Sequence, residues 1–210
     1  MIKIKVCGLS DPGNIREIAG LNPDFMGFIF YRGSKRCIGR DSAVAVRRSC
    51  KGILKAGVFV NEELPALLGL ADVFDLNIIQ LHGDEDPEFC ERLKSEGYLV
   101  IKSFRVADSF CDDLCIPYLN VCDYFLFDTL SVSYGGSGKK FNWDLLRNYR
   151  LNTPFFLSGG IGPENAGEIR ILDHTALYAA DINSRFELRP GIKDPYKIKV
   201  FIDQIKNGQQ

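Results

Sequence analysis

Short apolar runs rich in β-branched and aromatic residues alternate along this chain with segments of helical periodicity. Such alternation predicts parallel strands joined by right-handed helical crossovers. Eight βα units predict an α/β fold, a single (β/α)8 TIM barrel that occupies residues 1–210 as one domain. A doubly wound open sheet is the alternative, but eight strands would be many for one open sheet in a chain of this size. The predicted strands are 3–7, 25–30, 53–60, 77–81, 98–102, 123–128, 154–158 and 176–182.

Aspartate–proline pairs mark three of the predicted helix starts. In each pair a capping carboxylate comes before a proline, which is well tolerated at the first helical position. Asn61 is predicted to cap a further helix over 62–73, where leucines recur on one face. The segment 103–122 is also predicted to contain a helix, although its pattern is the weakest. The three pairs are Asp11-Pro12, Asp86-Pro87 and Asp194-Pro195.

Composition and charge exclude several classes of protein. The net charge of −1 argues against a nucleic-acid binder driven by bulk electrostatics. No apolar stretch approaches the roughly 18–20 residues of a membrane span, and the N-terminus lacks the pattern of a signal peptide. The seven cysteines contain no CxxC pair, so we expect reduced thiols in a cytoplasmic protein without a zinc site. We expect no nucleic acid or membrane partner, and either a monomer or a homodimer.

A double glycine follows the seventh predicted strand, in the stretch LSGGIGPEN over 157–165. Glycines let backbone N–H groups approach an anion, and the helix start that follows adds free donors. One unit later a polar loop, DINSR, follows the eighth strand, and barrels often build a phosphate site from these two loops. A tight turn without a ligand is the alternative. The predicted phosphate-site residues are Gly159, Gly160, Asp181, Asn183 and Ser184.

Asp128 and Cys7 are the candidate reactive groups at strand ends. Asp128 closes an aromatic run, where partial desolvation favours a protonated carboxyl group that is suited to general acid catalysis. Its alternative role is a cap or an ion-pair partner. Cys7 ends the first strand and could act as a base if its surroundings favour the thiolate. A buried small apolar side chain is the usual role of such a cysteine, but the chain has only two histidines to serve as bases.

Two further side chains are candidates for substrate binding. His82 follows the fourth strand beside the predicted barrel mouth, although a loop carbonyl could equally satisfy its ring. Arg36, after the second strand, could hold a substrate carboxylate with its planar guanidinium, or could be a solvated loop residue. The stretch GGSGKKFNW over 135–143 lacks the spacing of a nucleotide P-loop. It is typical of a mobile active-site loop, with Asn142 capping the next helix.

Six motifs of this chain resemble, in order, those of the phosphoribosylanthranilate isomerase family. They span nearly the whole chain, and several motifs in register are far more specific than any one of them. The resemblance implies a (β/α)8 barrel that performs an Amadori rearrangement in tryptophan biosynthesis, acting on a phosphosugar substrate without cofactor or metal. The motifs are KVCGL at 5–9, QLHGDE at 80–85, LFDT at 126–129, GGSGKKFNW at 135–143, LSGGIGPEN at 157–165 and DINSRFE…PGIKD at 181–194.

The same resemblance implies roles for individual residues. The family's catalytic cysteine matches Cys7, as general base, and its catalytic aspartate matches Asp128, as general acid. The arginine that faces the anthranilate carboxylate matches Arg36. The phosphate loops match Gly159, Gly160, Asp181, Asn183 and Ser184. The chain departs from the family at 183–187, where it has Asn-Ser-Arg-Phe-Glu in place of a common Ser-Ser-Gly-Val-Glu string.

Two other functions fit the same residues. One is a different sugar-phosphate isomerase or epimerase on the same barrel, with His82 or a second carboxylate as base. A substrate without an aromatic carboxylate would leave Arg36 unused in that case. The other is a non-catalytic protein that binds phosphorylated metabolites, in which Cys7 would be a modifiable thiol.

Overall fold

Eight parallel strands close into a barrel in the computed structural model, which describes residues 1–130 and 140–208. Each strand pairs with the next one along the chain, and the last pairs with the first. The predicted (β/α)8 barrel is therefore confirmed. The strands are β1 (Lys3–Cys7), β2 (Phe25–Ile29), β3 (Leu54–Phe59), β4 (Ile78–Leu81), β5 (Leu99–Val106), β6 (Tyr124–Thr129), β7 (Phe155–Leu157) and β8 (Leu177–Ile182).

Helices cover the outside of the barrel after six of the strands. After β5 the described chain forms only two short 3-10 turns, and after β6 a 3-10 helix over Trp143–Asn148. The helix predicted within 103–122 was wrong: β5 runs on to Val106, and Pro117 cannot donate a helical hydrogen bond. The α-helices are α1 (Pro12–Ala19), α2 (Ala43–Ser49), α3 (Leu64–Phe74), α4 (Pro87–Ser95), α5 (Ala166–Ile171) and α6 (Pro195–Asn207).

The three predicted aspartate caps are confirmed. Each carboxylate accepts a hydrogen bond from the first turn of its helix, from the N–H of Asn14, Phe89 and Tyr196 at 2.8, 2.8 and 3.0 Å. The predicted cap at Asn61 was wrong, because its side chain accepts instead from the Asp84 N–H at 2.8 Å. That bond ties the loop after β3 to the loop after β4. Asn142 does cap its 3-10 helix, through the N–H of Asp144.

Inward-facing side chains form layers along the barrel axis, because side chains alternate faces along a strand. The lower layer is apolar and fully buried. Above this layer the inward positions of β1 and β4 are polar. They hold Lys5 and then Cys7 on β1, and Gln80 and then His82 at the end of β4. The apolar layer thus supports a polar mouth at the carboxyl ends of the strands. The lower layer comprises Phe25, Ala56, Ile78, Ile101, Leu126, Phe156 and Ala179.

A short antiparallel hairpin follows β8 and was not predicted. It pairs β9 (Glu187–Arg189) with β10 (Ile192–Lys193) and lies beside the barrel mouth. Asn14 of α1 anchors it, since its side chain exchanges two hydrogen bonds with the backbone of Lys193. Within the ranges that the structure describes, no helix is long and apolar enough to cross a membrane.

Candidate active site

One cavity at the carboxyl ends of the strands is lined by all nine candidate site residues from the sequence analysis. It encloses about 780 Å3, counted out to its open mouth. The predicted loop residues Gly135 to Lys139 lie outside the described residues. The nine residues are Cys7, Arg36, His82, Asp128, Gly159, Gly160, Asp181, Asn183 and Ser184.

Asp128 is the penultimate residue of β6, with its carboxylate at the cavity wall, where its side chain is 15% exposed. Its Oδ1 accepts a hydrogen bond from the Thr129 N–H at 2.8 Å. Its Oδ2 lies 3.3 Å from Nε2 of His82. Two neighbours therefore fix the carboxylate, while the residue still lines the cavity.

Cys7 ends β1 three strands away around the barrel, and its thiol is almost fully buried. Burial raises the pKa of the Cys7 thiol above its ordinary value. The positive charges of Lys5 and Lys193 act in the opposite direction and favour the thiolate. Both lysines are themselves completely buried. The thiol therefore lies in a desolvated pocket whose nearby cations compensate part of the cost of ionisation.

Lys5 lies one layer below Cys7 and contacts β4, across the barrel, and the neighbouring strand β8. Its ammonium donates to Oε1 of Gln80 at 2.5 Å and to Oδ2 of Asp181 at 2.9 Å. Burial alone would lower the pKa of Lys5, but Asp181 and Cys7 together outweigh this effect and the pKa is raised. Burial raises the pKa of Asp181, whose Oδ1 has no hydrogen-bond partner among the described residues. Asp181 lines the cavity, although this oxygen is itself buried.

Arg36 belongs to a second charged network, which also contains Glu187 and Lys193. Its Nε and Nη2 each donate to the carboxylate of Glu187 at 2.8 Å. This bidentate pair uses one edge of the guanidinium and leaves the Nη1–Nη2 edge for a ligand. Lys193 donates to Glu187 at 2.8 Å and to Oδ1 of Asn183 at 2.6 Å. A lysine can only donate, so Asn183 keeps its Nδ2 donor for the cavity.

Burial lowers the pKa of Lys193 to about 8, although Glu187 acts against that shift. Burial would raise the pKa of Glu187, but the bonds from Arg36 and Lys193 prevail and lower it. The carboxylate therefore stays ionised and holds both cations at the mouth. The hairpin that carries Glu187 and Lys193 thus contributes charge to the site as well as shape.

The double glycine after β7 adopts a backbone that favours glycine, with φ of +83° at Gly159 and +68° at Gly160. A Cβ on Gly159 would lie 2.3 Å from Oγ1 of Thr129 and 2.7 Å from its backbone nitrogen. The turn therefore packs directly against the end of β6. Arg185 joins this turn to the loop after β8, because it donates to the Gly160 carbonyl at 3.3 Å and pairs with Glu164 at 2.8 Å.

We expect Gly159→Ala to lower the free energy of unfolding by at least about 2 kcal/mol, since strain at positive φ adds to the clash with Thr129. The matched control is Gly97→Ala. Gly97 also has positive φ, +88°, but a Cβ there would meet nothing within 4 Å. Only the strain of about 1 kcal/mol should remain in the control. Urea unfolding measures both, and equal losses would contradict the close contact inferred for Gly159.

Alkylation of Cys7 by iodoacetamide should become faster as pH rises, because the thiolate is the nucleophile. Burial raises the thiol pKa, so the midpoint of this rise should lie above 9.0, the ordinary value. Mass spectrometry of the Cys7 peptide over a pH series gives the midpoint. A midpoint well below 9.0 would show that Lys5 and Lys193 outweigh burial.

Sequence reasoning missed three charged residues of this site: Lys5, Glu187 and Lys193. Alternation could have found Lys5, since it lies two residues before Cys7 and so faces the same side of β1. The pair on the hairpin shows no such alternation, although both residues lie within the family-like motif at 181–194. Within residues 1–130 and 140–208, no three His, Cys, Asp or Glu side chains converge so as to hold a metal ion.

Known proteins of one family resemble this chain over nearly its full length. The family model described as N-(5'phosphoribosyl)anthranilate (PRA) isomerase matches residues 4–204. N-(5'-phosphoribosyl)anthranilate isomerase of Parabacteroides distasonis is 45% identical over 96% of this chain and 92% of its own. The crystal structure of phosphoribosyl anthranilate isomerase from Thermotoga maritima has a TM-score of 0.85, with 36% identity, over 99% of this chain and all of its own.

A further solved structure shows phosphoribosyl anthranilate isomerase in complex with reduced 1-(o-carboxyphenylamino)-1-deoxyribulose 5-phosphate. Its TM-score is 0.80 and its identity 32%, over 99% of this chain and all of that one. This chain is therefore similar to these proteins in sequence and in fold over nearly its full length, and its cavity brings the candidate site residues together. The chain therefore belongs to the N-(5'-phosphoribosyl)anthranilate isomerase family.

Proposed function

We propose that this protein catalyses the Amadori rearrangement of N-(5-phospho-β-D-ribosyl)anthranilate to 1-(2-carboxyphenylamino)-1-deoxy-D-ribulose 5-phosphate, a step of tryptophan biosynthesis. Family membership supports the reaction. The observation that carries the assignment to residues is the cavity itself. It contains a carboxyl group and a thiol on separate strands, together with a glycine turn and an arginine.

Asp128 and Cys7 divide the proton transfers between them in this proposal. Asp128, protonated in the bound complex, gives its proton to the furanose ring oxygen, and the C1–O bond breaks to leave an open-chain Schiff base. Cys7, as thiolate, then removes the proton from C2, and the C2 electron pair forms the enolamine. Protonation of C1 and loss of the O2 proton give the ketone. The acid must be protonated while the base is ionised, so their surroundings must act in opposite directions.

The remaining cavity residues are assigned to binding. The N–H groups of Gly159 and Gly160, with Asn183 and Ser184, take the phosphate, as expected for loops after the seventh and eighth strands. Asp181, which also lines the cavity, is assigned to the substrate with them. The Nη1–Nη2 edge of Arg36 takes the anthranilate carboxylate.

We expect Arg36→Lys to raise KM by about 10-fold or more, because a lysine cannot bind Glu187 and a substrate carboxylate with two planar edges. The effect on kcat should be smaller, since Arg36 takes no part in the proton transfers in this scheme. Steady-state kinetics separate the two constants. Arg40→Lys is the control, because Arg40 is exposed and does not line the cavity. An unchanged KM for Arg36→Lys would remove Arg36 from the binding site.

The broader assignments belong to the same proposal. We expect one domain over 1–210, a monomer or a homodimer, a cytoplasmic location and no nucleic-acid partner. All seven cysteines are free thiols, which supports a reducing compartment.

Turnover of the synthetic substrate tests the function directly. Purified protein in a buffer with EDTA should convert phosphoribosylanthranilate, which is followed by loss of its fluorescence. NMR of the product should show the 1-deoxyribulose phosphate. A product other than this ketone, or none at micromolar enzyme, would contradict the proposal.

A further inference from the structure

We propose that Gln80, oriented by Lys5, is a positioning residue that fixes His82 as a hydrogen-bond donor to Asp128. This inference rests on the proposed function, because its consequence concerns the acid of that reaction. The residues form one continuous buried chain that begins on β1 and ends on β6. Each link constrains the next, since only one orientation of every group satisfies both of its neighbours.

Lys5 sets the direction of the chain. Its ammonium has three donors and no acceptor, so the atom of Gln80 that faces it at 2.5 Å must be the carbonyl Oε1. The amide Nε2 therefore lies on the other side. There it lies 3.1 Å from Nδ1 of His82 and 3.5 Å from Oγ of Ser103. Lys5 thus removes the ambiguity between amide oxygen and nitrogen that a glutamine otherwise carries.

The Gln80 amide sets the tautomer of His82. Nε2 of Gln80 donates, so Nδ1 of His82 must accept and carries no proton. A neutral ring then holds its proton on Nε2, which faces Oδ2 of Asp128 at 3.3 Å. Both ring nitrogens are thereby committed within the chain. His82 is 9% exposed, and neither nitrogen is left with a lone pair for the cavity.

This tautomer matters for the acid. In the opposite tautomer, a bare Nε2 would face Asp128 and accept its proton, so that the proton would be shared with the ring. With Nε2 already protonated, a protonated Asp128 can direct its proton only to another acceptor, which in the cavity is the substrate. The same reasoning excludes His82 as the base of an alternative isomerase. His82 therefore positions the acid and takes no proton itself.

The tautomer can be measured without substrate, by 15N NMR of protein labelled at histidine. The chain has only two histidines, and protonated and bare ring nitrogens have well-separated shifts. His174 is an internal reference, because the Ala176 N–H lies 3.1 Å from its Nδ1, and the Tyr149 carbonyl lies 3.1 Å from its Nε2. Both rings should show a protonated Nε2 and a bare Nδ1 at neutral pH. A protonated Nδ1 on His82 would overturn the proposal.

Gln80→Glu tests the link between tautomer and catalysis. An ionised glutamate can only accept, so Nδ1 of His82 should gain a proton while the signals of His174 stay unchanged. We expect kcat to fall by about 10-fold or more with KM near its wild-type value, because the acid is no longer positioned correctly. Gln80→Met, which neither donates nor accepts, should give a mixture of His82 tautomers if the glutamate variant does not fold.

Unchanged His82 shifts and an unchanged kcat in Gln80→Glu would overturn the positioning role. The expected shifts in a wild-type protein that shows no isomerase turnover would overturn the proposed function and, with it, the catalytic consequence. The assignment of the His82 tautomer would still hold in that case, because it does not depend on turnover. The two failures are therefore distinguishable by comparing the spectrum with the turnover assay.

Discussion

Asp128→Asn is expected to lower kcat by about 10²-fold or more, the usual scale of general acid–base catalysis. The asparagine oxygen can still accept the Thr129 N–H, so the end of β6 should keep its geometry. What is lost is the proton that the carboxyl group delivers to the furanose ring oxygen. Steady-state kinetics with phosphoribosylanthranilate measure the change, and thermal unfolding verifies that the variant is folded.

The control for this variant is Asp123→Asn, on the same chain segment at the opposite end of the barrel. Asp123 accepts the Val100 N–H at 2.8 Å and pairs with Lys94 at 3.2 Å, away from the cavity. Its replacement should leave kcat unchanged. Because an asparagine at 128 would turn an amide donor toward His82, Asp128→Ala serves as a second variant. Near-normal kcat in both folded variants would remove Asp128 as the acid.

Cys7→Ser should also lower kcat by about 10²-fold or more. A serine hydroxyl is far harder to ionise than a thiol, and the cations Lys5 and Lys193 assist the thiolate only in part. The two side chains are close in size, so packing should change little. The measurement is again kcat, together with the loss of alkylation at position 7.

Cys50→Ser is the matched control for the thiol. Cys50 is fully buried at the end of α2, where its sulfur lies 3.6 Å from that of Met26, and it does not line the cavity. Its replacement buries a hydroxyl and should cost about 1–3 kcal/mol of stability, with no change in kcat. If Cys7→Ser behaves like this control, the thiol is structural and the base lies elsewhere.

The barrel was predictable because its signals are local. Apolar runs of strand length and Asp-Pro helix starts repeat along the chain, and handedness rules convert that repeat into a closed parallel sheet. The prediction failed where local signals compete. Pro117 prevents the helix expected after β5. The Asn61 side chain accepts a hydrogen bond from the neighbouring loop instead of capping α3.

The cavity residues were predictable in part, because the carboxyl ends of parallel strands meet at one edge. Their partners were not. That Arg36 is already bound to Glu187 depends on a hairpin whose two strands are three and two residues long. The chain from Lys5 to His82 depends on which strands face each other across the barrel. Such contacts arise from the closed sheet as a whole, and spacing along the sequence does not encode them.

Turnover by the wild-type protein and by the double variant Cys7→Ser/Asp128→Asn, compared side by side with EDTA present, tests the central claim most directly. The wild type should remove the fluorescence of phosphoribosylanthranilate at catalytic concentrations. The folded double variant should lose activity by about as much as the poorer single variant, because acid and base act as one unit. No decay with the wild type, or equal decay with the double variant, would contradict the assignment of the reaction to this cavity.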